Sequence, residues 1–546
     1  MKRNPGKAAM AAGAGIHPAI PDLAALARRG ETDRRAFLRT ATLLGLSASA
    51  AYTLAGLAPT GSRAASGAAG GTLRISMKVQ EMTDPARFDW TEKSNVARHI
   101  VEFLTITGTD NVTRPYLAKA WSASEDLRTW TFKLRRRIRW SNGDSFDAED
   151  VAYNFRRWVD PKTGSSNKSL FSGLSAGGVE VVDRDTVRLH LNKPELAIPE
   201  NLYNYPAAIV HRRFAEEGGD LSKNPVGTGP YRLDSFSIGQ KAVLVRREKS
   251  AYWGPKPALE RIIYIDHGDD PMAGIAAIAS GQADLNYEIS PDQLELVQSM
   301  PQLQLFEAAT AQTAVARMRV DRPPFDNAKL RQAVQACIDH DRLLELGYRG
   351  KGVAGEDHHV APIHPEYAAL PKQRQDYALV RKLLADAGHP NGVKLSIDCR
   401  SAPSWEPTTV QAMSAMCRPA GIDLKINTMP SEQYGDIWNK TPFGFTGWTH
   451  RPLGVMVLNL AYRSGAAWNE SGYANRDFDL ALNRANATLD IQERRRYVAA
   501  CERILQRDAV IVQPLWRSIF AVGSKRLRGY RLHPTNYHQL GGVGLG

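Results

Sequence analysis

Every second position is apolar in Leu73-Arg-Ile-Ser-Met77, Trp130-Thr-Phe-Lys-Leu134 and Thr186-Val-Arg-Leu-His-Leu191. Successive strand side chains point to opposite faces, so this alternation predicts three strands, each with one buried face. Between the last two, Ser141-Asn-Gly-Asp144 predicts a turn, after which the rhythm lengthens. Val151, Phe155 and Trp158 recur at spacings of four and three, which places them on one face of a helix over residues 147–158. Asp147 stands at its N-cap, and Glu149 and Asp150 complement the positive end of the helix. Asn224-Pro-Val-Gly-Thr-Gly-Pro-Tyr231 reads as a rigid turn. Its glycines do not form a phosphate cradle, because Pro225 and Pro230 lack amide donors and no Lys-Ser or Lys-Thr follows. Strands are expected at 242–246 and 261–266, then a helix over 271–280. A helix-rich half follows, with helices at 327–346, 376–387, 408–420, 477–489 and 491–507 and strands at 393–397 and 423–428. The chain then returns to strands. This mixture predicts α/β layers in two lobes with a cleft between them.

One stretch fits neither rhythm. Residues 41–57 form a charge-free apolar run directly after Asp33-Arg-Arg-Ala-Phe-Leu-Arg39. Its length is near the lower limit for a membrane span of about 17 residues, and Gly45, Ser47, Ser49 and Gly56 dilute it. Paired arginines before a short apolar run instead form an export address of the twin-arginine kind. Arg34, Arg35, Phe37 and Leu38 match that pattern, with Asp33 where Ser or Thr is more usual. Small residues around Ser62 and Ala64 supply a cleavage region. The first cysteine is Cys337, so lipidation of a new N-terminal Cys is not expected. The expectation is a chain exported by the twin-arginine machinery, cleaved after a leader of residues 1–66, and diffusible in a Gram-negative periplasm.

The 546 residues carry a formal net charge of +13. Residues 1–66 hold nine Lys or Arg against three Asp or Glu, so the remainder carries +7. That excess is spread thinly. Its densest cluster, Arg135, Arg136, Arg137 and Arg139, interleaves with Phe132, Leu134, Ile138 and Trp140, which reads as the solvated face of a strand pair and not as a nucleic-acid patch. About 480 residues are too many for one core. Cys337, Cys399, Cys417 and Cys501 allow three complete pairings, and buried free thiols or one bridge is the expectation.

Catalytic constellations are sparse. Gly173-Leu-Ser-Ala-Gly177 matches G-x-S-x-G, but a nucleophile elbow needs a strand before it and a helix after it. A polar loop precedes Ser175 here and a strand pattern follows. His358, His359 and His364 lie with Glu356 and Asp357, a set that could hold a transition metal. Pro362 and Pro365 make that segment a loop, expected to border the cleft with polar ligand contacts. No metal, no cofactor and no enzymatic activity are predicted.

Several segments together resemble the family 5 extracellular solute-binding proteins of ABC importers, the oligopeptide-, dipeptide- and nickel-binding group. They are Leu117-Ala-Lys-Ala-Trp121, Trp130-Thr-Phe-Lys-Leu-Arg135, Asn142-Gly-Asp144 with Ala148-Glu-Asp-Val151, and Pro225-Val-Gly-Thr-Gly-Pro-Tyr231. Further along come Tyr252-Trp-Gly254, Ser280-Gly-Gln-Ala-Asp-Leu285, Pro324-Phe-Asp326 with Leu330-Arg-Gln-Ala333, and Ala387-Gly-His-Pro-Asn-Gly392. The resemblance implies a two-lobed periplasmic-binding-protein-like α/β fold with an extra subdomain inserted in the N-terminal lobe. On that layout residues 71–112, 227–310 and 523–546 form lobe one, 113–226 the insert and 311–522 lobe two. It further implies a monomer that hands a peptide or peptide-like solute to a membrane permease, with separate ATPase subunits supplying the energy.

In peptide-binding members of that family, a Gly-Trp pair is followed, three residues after Trp, by an Asp that pairs with the ligand's amino terminus. Here the segment is Gly447-Trp-Thr-His-Arg451, with Arg451 in that place. If Arg451 lines the cleft, it favours an anionic or hydroxyl-rich ligand end. Trp448, Thr449, His450 and Arg451 are therefore expected at the site. The layout also points to Asp89 and Trp90 in lobe one and to Arg400 and Trp405 in lobe two. The competing classes are a secreted hydrolase using a metal or Ser175, and a binding protein that serves a membrane sensor.

Overall fold

A computed structural model describes residues 17–30, 32–54, 70–248 and 251–546. Its backbone is a twelve-stranded sheet shared by both lobes. On one side Thr72–Ser76 pairs in parallel with Arg261–Ile265 and Leu285–Ile289, and Lys241–Arg246 and Tyr231–Ser237 extend the edge. On the other side Val393–Arg400 lies parallel to Ile422–Met429 and Phe443–Trp448. Two long strands join the halves. Leu303–Met318 pairs antiparallel with Leu515–Ser524, shifts register between Ala309 and Gln312, and then continues along Phe443–Trp448. Leu73, Ile75, Ile262 and Leu285 anchor one core, and Val334, Leu343, Ile397 and Phe445 anchor the other. The fold is α/β, in two lobes.

A separate four-stranded sheet stands between Thr72–Ser76 and Tyr231–Ser237 in the chain, as an insert in the first lobe. Its strands Ala118–Ala123, Thr129–Leu134, Thr186–Leu191 and Leu174–Asp183 cover the helix Ala148–Val159. The alternation at 130–134 buries Trp130 and Phe132, and the helical stripe brings Phe155 and Trp158 against Phe171. Asp147 and Asp150 form a capping box. Asp150, fully buried, also accepts from Trp140 Nε1 at 3.0 Å and from Arg212 Nε at 2.8 Å. The glycine-proline turn is a close approach of backbones. A Cβ on Gly227 would collide with the Ile100 carbonyl, and the Gly229 amide donates to that same oxygen at 2.8 Å. The arginines at 135–139 lie along this insert with local partners, such as Arg136 with Asp185 at 2.6 Å.

Two features depart from the sequence expectation. The helix expected at 327–346 is two helices, Ala328–Ala336 and His340–Tyr348, because Asp339 caps the second by accepting the Arg342 amide. The leader is not separate from the body. Arg34–Leu43 is a helix capped by Asp33, the apolar run breaks at Gly45 with φ of 91°, and Trp121 Nε1 donates to the Leu43 carbonyl at 2.7 Å. Leu43 and Leu44 thus share a core with the insert. Among the described residues no helix is long and apolar enough to cross a membrane. The cleavage region around Ser62 and Ala64 lies outside the described residues. Cys337, Cys399, Cys417 and Cys501 are free and buried, one of the two arrangements expected for them.

Asp150→Ala removes a cap and strands both a buried indole N–H and a guanidinium. It is expected to destabilise the insert by roughly 3–5 kcal/mol. An earlier thermal transition by circular dichroism would show it, whereas Glu149→Ala at the exposed neighbouring position should stay within about 0.5 kcal/mol.

Candidate ligand cleft

In both lobes the parallel strands point their carboxyl ends at one another, and in open α/β sheets that is where ligands bind. A cavity of about 190 Å³ lies there. Lobe one contributes Ser76 and Lys78 after Thr72–Ser76, Asp266 and His267 after Arg261–Ile265, and Asn286 and Glu288 from Leu285–Ile289. The helix Thr91–Ala97 brings Trp90 and Glu92 to the wall from its first turn. Lobe two contributes Arg400 at the end of Val393–Arg400, Glu406, and Gly447, Trp448 and Thr449 at the end of Phe443–Trp448. Gln312 and Arg517 come from the two strands that bridge the lobes.

The charges at this wall are largely matched to one another. The Arg400 guanidinium forks onto Glu406, with Nε to Oε2 at 3.0 Å, and lies 4.9 Å above the Trp90 ring. Burial works against the Arg400 charge, but the Glu406 carboxylate outweighs it and raises the pKa above the ordinary arginine value. Arg517 forks onto Glu288, donates to Gln312 Oε1 at 2.7 Å and lies 4.9 Å from the Trp405 ring. Glu288 also accepts from Asn536 Nδ2 at 2.7 Å. Lys78 sits between Asp269 at 2.6 Å and Asp266 at 3.5 Å. Such forks fix guanidinium planes and keep them charged.

The predicted site residues divide into two groups. Trp90, Arg400, Trp448 and Thr449 line the cleft cavity. Asp89 stands beside it, ion-paired with Lys93 at 3.0 Å, on a small adjoining hollow of about 30 Å³. Trp90, Tyr205, Trp438, Trp448 and Trp468 enclose that hollow, and Trp448 Nε1 donates to Glu470 at 2.7 Å. The structure does not bring the other three to the cavity. Trp405 is buried against Tyr348, its ring centroid 5.3 Å away. His450 is a buried joint between lobes. Its Nδ1 accepts the Ala311 amide at 3.0 Å, so its Nε2 donates to Asn111 Oδ1 at 2.8 Å. Burial, with His364 and His533 nearby, holds the ring well below the usual range and therefore neutral. Arg451 is directed away from the cavity. After the strand ends at Trp448, its side chain folds back to donate to the Thr449 and His450 carbonyls and lies 5.1 Å from the Tyr205 ring. It lines a different, small hollow with Glu200, Asn204 and Tyr537.

The histidine loop also differs from its expected place at the cleft. It is buried, and its groups disperse into separate pairs. His358 bonds Glu356 at 2.9 Å, His340 bonds Asp357 at 3.0 Å, His359 bonds Tyr462 at 3.0 Å, and His364 bonds the Arg451 carbonyl at 2.9 Å. Burial lowers His364 to about 4. Among the described residues no group of three metal-capable side chains converges. Ser175 is exposed on the strand Leu174–Asp183, and among the described residues no histidine bonds to it.

Sequence reasoning missed Glu92, Glu288 and Arg517. The Arg517–Glu288 pair joins positions 229 residues apart, which no local pattern encodes. Glu406 was closer to hand, six residues after Arg400 and on the next element.

Residues 113–470 match the family described as bacterial extracellular solute-binding proteins, family 5. The chain is 25% identical over 466 residues to heme-binding protein A of Haemophilus influenzae, covering 79% of this chain and 84% of that one. It is 26% identical to the periplasmic oligopeptide-binding protein OppA of the same species, covering 79% and 85%. Among solved structures, the ABC transporter-associated periplasmic binding protein DppA of Helicobacter pylori, in complex with the peptide STSA, superposes with a TM-score of 0.77 at 22% identity. That match covers 88% of this chain and 98% of the other. With the matched segment spanning most of the chain and both lobes in place around a cleft, the chain belongs to the family 5 bacterial extracellular solute-binding proteins.

Proposed function

We propose that the chain is the periplasmic substrate-binding component of an ABC importer. It captures a peptide or peptide-like solute between its lobes and delivers it to a membrane permease. The observation that carries this reading is the cavity of about 190 Å³ walled by residues of both lobes, at the carboxyl ends of both sets of parallel strands. Its size suits a short peptide or an amino-acid conjugate, since pockets for drug-sized ligands run from about 300 Å³ upward. Related chains named for oligopeptide binding, or solved with a bound peptide, support the same class of solute. Trp90, Trp448 and Thr449 act as contact walls, with the rings offering area at low entropic cost. Arg400 gives the wall a fixed charge. Arg451, the residue that would favour an anionic ligand end, folds away from the cleft. The wall arginines are Arg400 and Arg517, and each already holds a glutamate, so a ligand carboxylate would have to share those forks.

Closure of the lobes hides the solute from water and presents both lobes to the permease. The chain acts as a monomer and leaves energy coupling to the ATPase subunits. We further propose that it reaches the periplasm through the twin-arginine machinery and is released from its leader without lipidation, on the strength of Arg34, Arg35, Phe37 and Leu38 ahead of the apolar run.

Tryptophan fluorescence of the mature protein, titrated with free di- to tetrapeptides, should saturate with a Kd of about 1 µM or tighter for the preferred members, corresponding to roughly −8 kcal/mol. Trp448→Ala should weaken that binding by at least about tenfold, or about 1.4 kcal/mol. A flat titration across the whole panel counts against peptide capture. For export, replacing Arg34 and Arg35 together by Lys should leave unprocessed chain in the cytoplasmic fraction. Undiminished periplasmic yield would exclude the twin-arginine route.

A further inference from the structure

Three carboxylates and two guanidiniums meet at the centre of the cleft. Arg400 is committed to Glu406, and Arg517 to Glu288 and Gln312. Of these three carboxylates, Glu92 is the one left over. It is half-buried, lines the cavity from the first turn of Thr91–Ala97, and forms no ion pair among the described residues. Its neighbours at the wall are Trp90, its predecessor by two positions, and Tyr287 beside Glu288.

With all five groups charged, this centre carries one uncompensated negative charge inside a cleft that closes against water. Burying a carboxylate without a partner is costly, and a positive ligand group within ion-pair distance removes that cost. The rest of the cavity does not reverse the sign. Lys78 is shared by Asp266 and Asp269, and Asp270, exposed to solvent, accepts the Met272 amide.

We propose that Glu92 is the specificity-determining residue of the cleft, receiving a protonated amine or guanidinium of the solute. Arg451 folds away from the cavity and lines a separate small hollow. A solute cation would thus be received from the lobe-one side, at the helix that starts at Thr91. A second support is the ionisation of Glu92 itself. Burial raises its pKa, its own backbone amide and Arg400 oppose this, and Glu288 reinforces it. A cation beside Glu92 would oppose the effect of burial and favour the ionised carboxylate.

This inference rests on the reading of the cleft as a solute site and sharpens it to cationic or free-amine solutes. The test uses the mature chain and its Glu92→Gln variant, compared for equal thermal midpoints without ligand. Three probes are titrated by calorimetry: the tetrapeptide Ser-Thr-Ser-Ala, its N-acetylated form, and L-arginine amide. The expected result is a preference of about tenfold or more for the free-amine tetrapeptide over its acetylated form, corresponding to about 1.4 kcal/mol. Glu92→Gln should erase that preference by weakening the free-amine peptide alone. Equal affinities of both peptides for wild type, or an unchanged preference in the variant, would overturn the role of Glu92 while leaving peptide capture standing. Binding of L-arginine amide alone, lost in the variant, would support Glu92 and overturn peptide capture. Failure of all three probes to bind would overturn both.

Discussion

The antiparallel pairing of Leu303–Met318 with Leu515–Ser524 is the constraint on which the architecture rests. These strands begin in the sheet of one lobe and end in the sheet of the other, so neither half can take its register without the other. The shift between Ala309 and Gln312 falls where the chain leaves one lobe for the next. A break in the ladder at that point increases local twist and lets the two sheets differ in orientation while sharing their strands. Arg517 and Gln312 emerge from this same crossing, which is why residues of the bridge floor the cleft.

Around that floor the chemistry is one of saturation. Most polar groups at the wall already hold protein partners, and the aromatic side chains are packed in contact with one another, as Trp448 is with Trp468 at 6.1 Å. A wall of this kind is pre-organised. It loses little conformational freedom when a ligand arrives, and the ligand meets side chains that cannot move aside without breaking a fork or an aromatic contact. Selectivity then depends on the few groups not already spoken for. The buried Arg317–Glu470 pair, at 2.9 Å, extends the same order one layer behind Trp448.

Much of the scaffold was legible in the sequence because its signals are local. Alternation at 73–77 and 186–191 marked strands now seen at Thr72–Ser76 and Thr186–Leu191, and the Asp147 cap with its apolar stripe marked Ala148–Val159. The cap at Asp339 was equally local but lay inside a continuous apolar rhythm, and it divided one expected helix into two. The cleft was only partly legible. Trp90, Arg400, Trp448 and Thr449 could be placed by family resemblance because each lies at a strand end or loop of fixed position. Arg451 could not, since its direction depends on how the chain turns after Trp448 and on Tyr205 from the insert. Glu92, Glu288 and Arg517 come together only in the folded chain, and single-sequence patterns carry no trace of contacts between such distant positions.

The four buried, unpaired cysteines carry a consequence of another kind. Cys337, Cys399, Cys417 and Cys501 fill core space as small apolar side chains, and none cross-links the chain. As free thiols they call for no oxidative step and no disulfide isomerase, and burial, hydrogen bonds and ion pairs hold the fold. Nothing in that core has to be oxidised before the two lobes can pack.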